Sequence, residues 1–434
     1  MRDTIAAIAT PPGSGGVGIV RLSGPSAVAI LEKVIGREAP PDRKLVPGVA
    51  REPTSGERLD EVLVVVMRGP RSYTGEDVAE VHGHGGALNL ARLFRATLAA
   101  GARAAEPGEF TRRAFENGRL DLTRAEAVVS VIGAASERAL RAAQASLGGG
   151  LAGRVETLRA AVLDLLAEVE ASVDFPEEDL DFVPASELAR RAGALAASLT
   201  DLGQTYAIGR ALGEGIEVAL TGAPNVGKSS LLNALVGEER ALVAAEPGTT
   251  RDYVEARVVW EGMPVTLIDT AGERDASGLE ARGVALGRAR AARADVVLVV
   301  RDATVGGAVA GGSGRDLEVW NKIDLAPAPA GTIGVSAVTG AGLDRVRAGV
   351  LGAVLGTAGD GDEGVLISTE RQRALVEEAA AAMGRVAESA LTGRAAEILA
   401  LELREAALRL GQITGAEVTE PVLDRLFARF CIGK

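Results

Sequence analysis

Between residues 119 and 211 apolar side chains recur at three- and four-residue steps. Leu158, Ala161, Val162, Leu165, Leu166 and Val169 form one stripe, with Glu156, Arg159, Asp164 and Glu168 off it. That spacing predicts an amphipathic helix with one face turned to a core. The same period returns after about residue 355, where Leu399, Leu403, Ala406, Ala407 and Leu410 share a face. Between these stretches, over 212–354, short apolar runs ("IEVALTG", "PVTLIDT", "ADVVLVV") alternate with helical segments, the order of a parallel α/β sheet. Residues 1–118 have a third texture, with β-like runs ("GIVRLSG", "EVLVVVM") between turns rich in Gly and Pro. An acidic loop, "DFPEEDLDF" from Asp174 to Phe182, interrupts the first helical stretch. The pattern therefore predicts an α/β and α+β multidomain chain. An α+β domain (1–118) precedes a helical domain (119–211 and 355–434) into which an α/β module (212–354) is inserted.

Composition narrows the class. The chain has 434 residues, 47% of them apolar and only 3% aromatic, enough for two or three domains with α-rich cores. A formal charge of −12 argues against a broad nucleic-acid-coating surface, so any RNA contact is expected from a local basic patch. No run of about 18 apolar residues is present and the first residues do not read as a signal peptide, so we expect no membrane span. A single cysteine excludes an internal disulfide and fits a cytoplasmic protein.

The decisive segment is "GAPNVGKSS", Gly222 to Ser230, which fits G-x-x-x-x-G-K-[ST], follows an apolar strand and opens the helical run "SLLNALVG". Its glycines let backbone N–H groups approach phosphates at a helix N-terminus, where the dipole favours negative charge. Asn225, Val226, Gly227 and Ser230 line this loop, Lys228 is expected to reach the β- and γ-phosphates, and the Ser229 hydroxyl to ligate Mg²⁺. Three further motifs follow in order. "GTTRD" supplies Gly248, Thr249 and Thr250, the last as a second hydroxyl for Mg²⁺. "DTAG" supplies Asp269 for the Mg²⁺ shell, then Thr270, Ala271 and Gly272, whose glycine can meet the γ-phosphate. "NKID" supplies Asn321, Lys322 and Asp324, whose carboxylate can accept both N1–H and N2–H of guanine. "SAVTG", with Ser336 and Ala337, fits the loop behind the guanine carbonyl. Together these motifs read as a Ras-like P-loop GTPase module.

Two other motifs fail their context. "GSGGVG" (13–18) satisfies G-x-G-x-x-G but is followed by a β-like run instead of a helix, against a dinucleotide site. "HGHGG" holds both histidines, too few ligands for zinc.

The chain resembles the bacterial tRNA-modification GTPase family called MnmE or TrmE. The likeness spans nearly its whole length, on "DTIAAIATPPGSGGVGIVRLSG", "SYTGEDVAEVHGHGG", "PGEFTRRAFENGRLDLTRAEA", the GTPase motifs and the terminal "FCIGK". The resemblance implies a homodimer that acts with a flavin-dependent partner, MnmG or GidA. Together they would add an aminomethyl or carboxymethylaminomethyl group at carbon 5 of a tRNA wobble uridine. It implies a one-carbon donor, 5-formyl- or methylene-tetrahydrofolate, bound in the N-terminal domain by Arg21, Glu80, Arg119 and Lys434. It further implies potassium-dependent hydrolysis, with K⁺ held by Asn225 and by the loop Ala244, Ala245, Glu246, Pro247 and Thr249 (Ala244, Glu246 and Thr249 as ligands). Glu280 would orient the attacking water.

Cys431, the fourth residue from the end, admits three readings: a small hydrophobe, a lipidation site, or a thiol delivered to a distant site. Lys434 in last place excludes a prenylation box. The resemblance favours delivery to the folate site, where a thiolate could attack carbon 6 of the uracil. Two departures from the family stand out: Glu273 directly after "DTAG", and a short stretch between Asp302 and Asn321, where a helix and a strand would normally lie. The competing function is a GTP-switched RNA-binding ribosome-assembly factor without modification chemistry, which has no use for the N-terminal motifs or the tail.

Overall fold

The computed structural model describes residues 3–174, 184–237, 255–269, 293–307, 315–355 and 365–434. Two compact units emerge, one of residues 1–129 with 414–434 and one of residues 130–413. By contact, then, the last twenty-one residues group with the N-terminal unit, whereas the textural division runs the second helical half from 355 to the end.

The N-terminal unit is built on a six-stranded sheet of order β3-β4-β5-β2-β1-β6, from β1 (Ile5–Ile8), β2 (Gly15–Ser23), β3 (Val46–Arg51), β4 (Arg58–Met67), β5 (Val78–Gly85) and β6 (Arg103–Ala104). The "GSGGVG" run enters β2 directly, as the failed dinucleotide test expects. Helices α1 (Ala27–Ile35) and α2 (Ala87–Ala99) cover one face. There Ile30, Leu31, Val34, Leu90 and Leu93 pack with Leu22, Val64, Val66 and Val81. On the opposite face α3 (Glu109–Glu116) brings Phe110 against Ile5 and Ala7. Strand alternation sorts the side chains: in β5 Ala79 and Val81 enter the α1/α2 core, which turns Glu80, His82 and His84 to the other face. Helix α4 (Leu122–Gly133) closes this part of the chain.

In the second unit the helical core is formed by α6 (Gly150–Asp174), which follows α5 (Glu137–Leu147), then α7 (Ala185–Gln204), and two later helices, α11 (Glu370–Leu391) and α12 (Ala396–Thr414). Leu158, Val162, Leu165, Leu166 and Val169 are buried there, as the periodicity predicts, while Ala161 is only half-buried at the edge of the stripe. Leu399, Leu403, Ala406, Ala407 and Leu410 are all buried.

The chain leaves this core through α8 (Tyr206–Glu214) and enters a parallel sheet of order β12-β11-β10-β7-β9-β8, with only β8 antiparallel. Its strands are β7 (Ile216–Thr221), β8 (Glu255–Trp260), β9 (Met263–Asp269), β10 (Val296–Asp302), β11 (Asp316–Asn321) and β12 (Ile333–Gly334). Helix α9 (Lys228–Val236) follows β7, and α10 (Leu343–Leu355) follows β12. Exit and return touch: the Ile367 amide donates to Thr205 Oγ1 (3.0 Å), and a Cβ on Gly209 would lie 2.1 Å from the Ile367 carbonyl. An inserted module has to leave and re-enter its host side by side, which is the arrangement seen. Among the described residues no helix lies between β10 and β11, in line with the shortened sequence there. The final helix, α13 (Glu420–Phe427), belongs to the N-terminal unit.

Candidate functional site

The phosphate loop sits where β7 gives way to α9, at the C-terminal end of a central parallel strand. Its glycines have steric reasons. Gly222 has φ +139, and a Cβ there would lie 2.3 Å from the Val300 carbonyl on β10. Gly227, with φ +92, caps α9, and a Cβ there would lie 2.4 Å from Asn321 Nδ2. The second contact shows why the base motif and the phosphate loop belong to one device. Buried Asn321 donates from Nδ2 to the Val226 carbonyl (2.9 Å), and its Oδ1 accepts the Ala337 amide (3.1 Å). Lys322 donates from Nζ to the Asn225 carbonyl (3.0 Å). Asn225 itself is exposed and held at φ +63, a left-handed conformation uncommon outside glycine.

Lys228 donates to the carbonyls of Gly222 (2.8 Å) and Ala223 (3.0 Å), curling back over its own loop. Ser229 Oγ donates to Asp269 Oδ2 at 2.7 Å, bringing the hydroxyl and carboxylate of two separate motifs together. These hard oxygens are the donor type that Mg²⁺ selects. Ser336, fully buried, donates to Asp324 Oδ1 at 2.6 Å and accepts the Thr339 amide, which aims the Asp324 carboxylate. Asn225, Val226, Gly227, Lys228, Ser229, Ser230, Asp269, Asn321, Lys322, Asp324, Ser336 and Ala337 thus converge around one end of the parallel sheet. Ala244, Ala245, Glu246, Pro247, Gly248, Thr249, Thr250, Thr270, Ala271, Gly272 and Glu280 lie outside the described residues, as does Glu273. The sequence reading missed Asp302, whose carboxylate meets Lys322 Nζ at 2.5 Å.

The N-terminal unit carries the second cluster. Arg21 on β2 stands opposite Glu80 on β5 and donates to it from Nε at 2.8 Å. Glu80's second oxygen meets His82 Nε2 at 2.8 Å. Burial pushes the Glu80 carboxyl upward, but the bonds from His82 and Arg21 and their charges prevail, and its pKa lies below the ordinary value. The Arg21 guanidinium lies 5.8 Å from the Tyr73 ring centre and 6.0 Å from that of Phe110. His84 pairs with Asp60 at 2.7 Å, so both histidines of "HGHGG" are engaged by carboxylates. Arg119 is exposed and donates from Nε to the Ser72 carbonyl (3.2 Å), beside Tyr73.

The tail completes this cluster. Phe427 and Phe430 are buried with ring centres 5.2 Å apart, and Arg112 on α3 pairs with Asp424 (2.8 Å) and with Glu420. Gly433 is buried at φ +94, where a Cβ would lie 2.6 Å from the Ile8 carbonyl. Lys434 is half-buried. Desolvation lowers its pKa, the charge of Arg21 lowers it further, and the charges of Glu80 and Cys431 oppose both. Lys434 therefore shares one electrostatic environment with Arg21 and Glu80, while Cys431 stays exposed. Among the described residues no helix is long and apolar enough to cross a membrane.

Comparison with known proteins gives two family-profile matches. The profile for the MnmE helical domain matches residues 122–431, and that for the GTP-binding protein TrmE N-terminus matches residues 4–119. The chain is 46% identical to the tRNA modification GTPase MnmE of Synechococcus sp. (strain RCC307), over 100% of this chain and 98% of that protein. It is 44% identical to the protein of that name from Moorella thermoacetica, over 100% and 99%. The G domain of the T. maritima FeoB iron transporter is 26% identical, covering 32% of this chain and 98% of that structure, with a TM-score of 0.24. With both profiles matched and full-length relatives at this identity, the chain belongs to the MnmE family of tRNA modification GTPases.

Proposed function

We propose that this GTP hydrolase is the potassium-dependent GTPase subunit of a wobble-uridine modification enzyme, using a folate one-carbon unit to build an aminomethyl-type group at carbon 5. It works in the cytoplasm as a homodimer, with the flavoprotein MnmG (GidA) as partner and tRNA as substrate. The observation that carries this reading is the seating of the C-terminal tail in the N-terminal unit, where the Gly108 amide donates to the Cys431 carbonyl and Gly433 packs on the Ile8 carbonyl, with the charges of Arg21 and Glu80 acting on Lys434. A GTP-switched ribosome-assembly factor gives that tail no task.

The residues fit the groups they would hold. A folate offers carboxylates to cations and a pterin edge that donates to a carboxylate; Arg21, Lys434 and Arg119 supply the cations, and Glu80 the acceptor. When bound, the folate supplies the one-carbon unit. Cys431 is exposed beside this cluster and could add through its thiolate to carbon 6 of the uracil, making carbon 5 nucleophilic. In the GTPase module, Ser229, Thr250 and Asp269 would serve Mg²⁺. Asn225, Ala244, Glu246 and Thr249 would hold K⁺, which supplies positive charge where charge develops in phosphoryl transfer. Glu280 would orient the attacking water.

The test is equilibrium binding of 5-formyl-tetrahydrofolate to the purified chain. Arg21→Ala should weaken binding by about tenfold or more, as removal of a charge-assisted pair does, with GTP hydrolysis unaltered. Unchanged folate affinity would reject the assignment.

A further inference from the structure

Asp302 ends β10 directly opposite Asn321 on β11, so Lys322 leaves the sheet within reach of its carboxylate. Oδ1 accepts the Thr304 amide (2.9 Å) and the Thr304 hydroxyl (2.6 Å), fixing the carboxylate against its own turn. Oδ2 accepts Lys322 Nζ at 2.5 Å. The Lys322 bond first, then those from Thr304, hold the Asp302 carboxyl down to about 2. Its side chain is 12% exposed, and that of Lys322 32%. The same Lys322 ammonium donates to the Asn225 carbonyl at 3.0 Å. A continuous chain of polar contacts therefore runs from the end of β10, through the base motif, to the phosphate loop.

Both residues that this chain grips have positive φ without being glycine, Asn225 at +63 and Lys322 at +68. Such conformations are sparsely populated and persist where the surroundings over-determine them. A lysine on a four-carbon stem also loses rotamer freedom when held still. A single carbonyl partner offsets little of that, whereas a carboxylate fixed by its own turn offsets much more.

We propose that Asp302 is a positioning residue of the GTP site, holding the Lys322 ammonium on the Asn225 carbonyl so that the base-recognition segment and the phosphate loop keep one preformed geometry. This rests on the reading of Lys322 and Asn225 as nucleotide-site residues. The role is exerted through Lys322, so the effect of removing Asp302 has to depend on Lys322 being present.

The test is a double-mutant cycle on the full chain, reading affinity for mant-labelled GDP and the kinetics of GTP hydrolysis. In the wild-type background Asp302→Ala should weaken GDP by about five- to twentyfold and raise KM with kcat nearly unchanged, and in the Lys322→Met background it should add less than about twofold. Asp302→Asn keeps an acceptor for Thr304 but loses the charge that grips Lys322, and it should show the same dependence on background. Thermal unfolding without nucleotide checks that each variant is folded. Equal effects of Asp302→Ala in both backgrounds, or wild-type GDP affinity in Asp302→Asn, would overturn the proposal. Wild-type GDP affinity in Lys322→Met alone would instead reject the nucleotide-site reading beneath it.

Discussion

The backbone amide of Gly108 donates to the carbonyl of Cys431 at 3.4 Å, joining the start of α3 to the C-terminal tail. Gly108 has φ +69, and a Cβ there would lie 2.6 Å from the Phe427 carbonyl and 3.0 Å from Phe430 Cβ. The only cysteine is thus held by its backbone while its side chain is exposed. A tail docked by main-chain contact at glycines is sensitive to a single added methyl group.

Gly108→Ala and Gly433→Ala should each loosen the tail. The strain of a positive φ plus the close approach costs on the order of 1–3 kcal/mol. Folate affinity should fall in both variants, while GTP hydrolysis should stay at the wild-type rate. Binding of 5-formyl-tetrahydrofolate to the two variants measures this; full affinity in both would mean that the tail's seating does not matter to the ligand.

The residue proposed to select the base is Asp324, to which the Ser336 hydroxyl donates. Asp324→Asn should weaken GTP by about 2 kcal/mol or more, since guanine loses a charged acceptor for two donors, and should gain xanthosine triphosphate in return. Competition of the two nucleotides for the variant gives the comparison. A preference for GTP retained in full would remove Asp324 from base recognition.

How much of this was legible follows the reach of each interaction. The phosphate and base motifs could be read because their residue types and spacing are local: Gly227 takes φ +92 at the start of α9, which glycine tolerates, and Asp324 is the carboxylate expected for guanine. The helical stripes were legible for the same reason, apart from Ala161, which sits at the stripe's edge. The sheet order β3-β4-β5-β2-β1-β6 was not, because it rests on pairings such as Arg21 with Glu80 that no local pattern encodes. Nor were the carboxylate partners of His82 and His84, or the grip of Asp302 on Lys322. Resemblance to a family, not periodicity, brought the tail to the N-terminal domain in the sequence reading.

The proposed potassium dependence gives a direct kinetic prediction. Hydrolysis should be at least about tenfold faster in K⁺ than in Na⁺, because a fixed charge at the phosphates acts chiefly on the transition state. Asn225→Ala should remove most of that difference. Equal wild-type rates in the two salts would refute the ion assignment.

The water-orienting role is proposed for Glu280, with Glu273, directly after "DTAG", as the alternative. Glu280→Ala should lower kcat by about a hundredfold with GTP affinity preserved, the mark of an interaction made only in the transition state. If Glu273→Ala alone has that effect, the role belongs to the residue directly after "DTAG".

One reaction on tRNA is proposed to use both the GTPase module and the seated tail. Mass spectrometry of wobble nucleosides, from cells lacking the chain and complemented by wild type or by Cys431→Ser, tests it most directly. Cells lacking the chain should lose the aminomethyl-type group at carbon 5 of the wobble uridine, and the wild type should restore it. Cys431→Ser should fail to restore it despite normal GTP hydrolysis, a hydroxyl being a far poorer nucleophile than a thiol near neutral pH. Full wobble modification in cells without the chain would contradict the account.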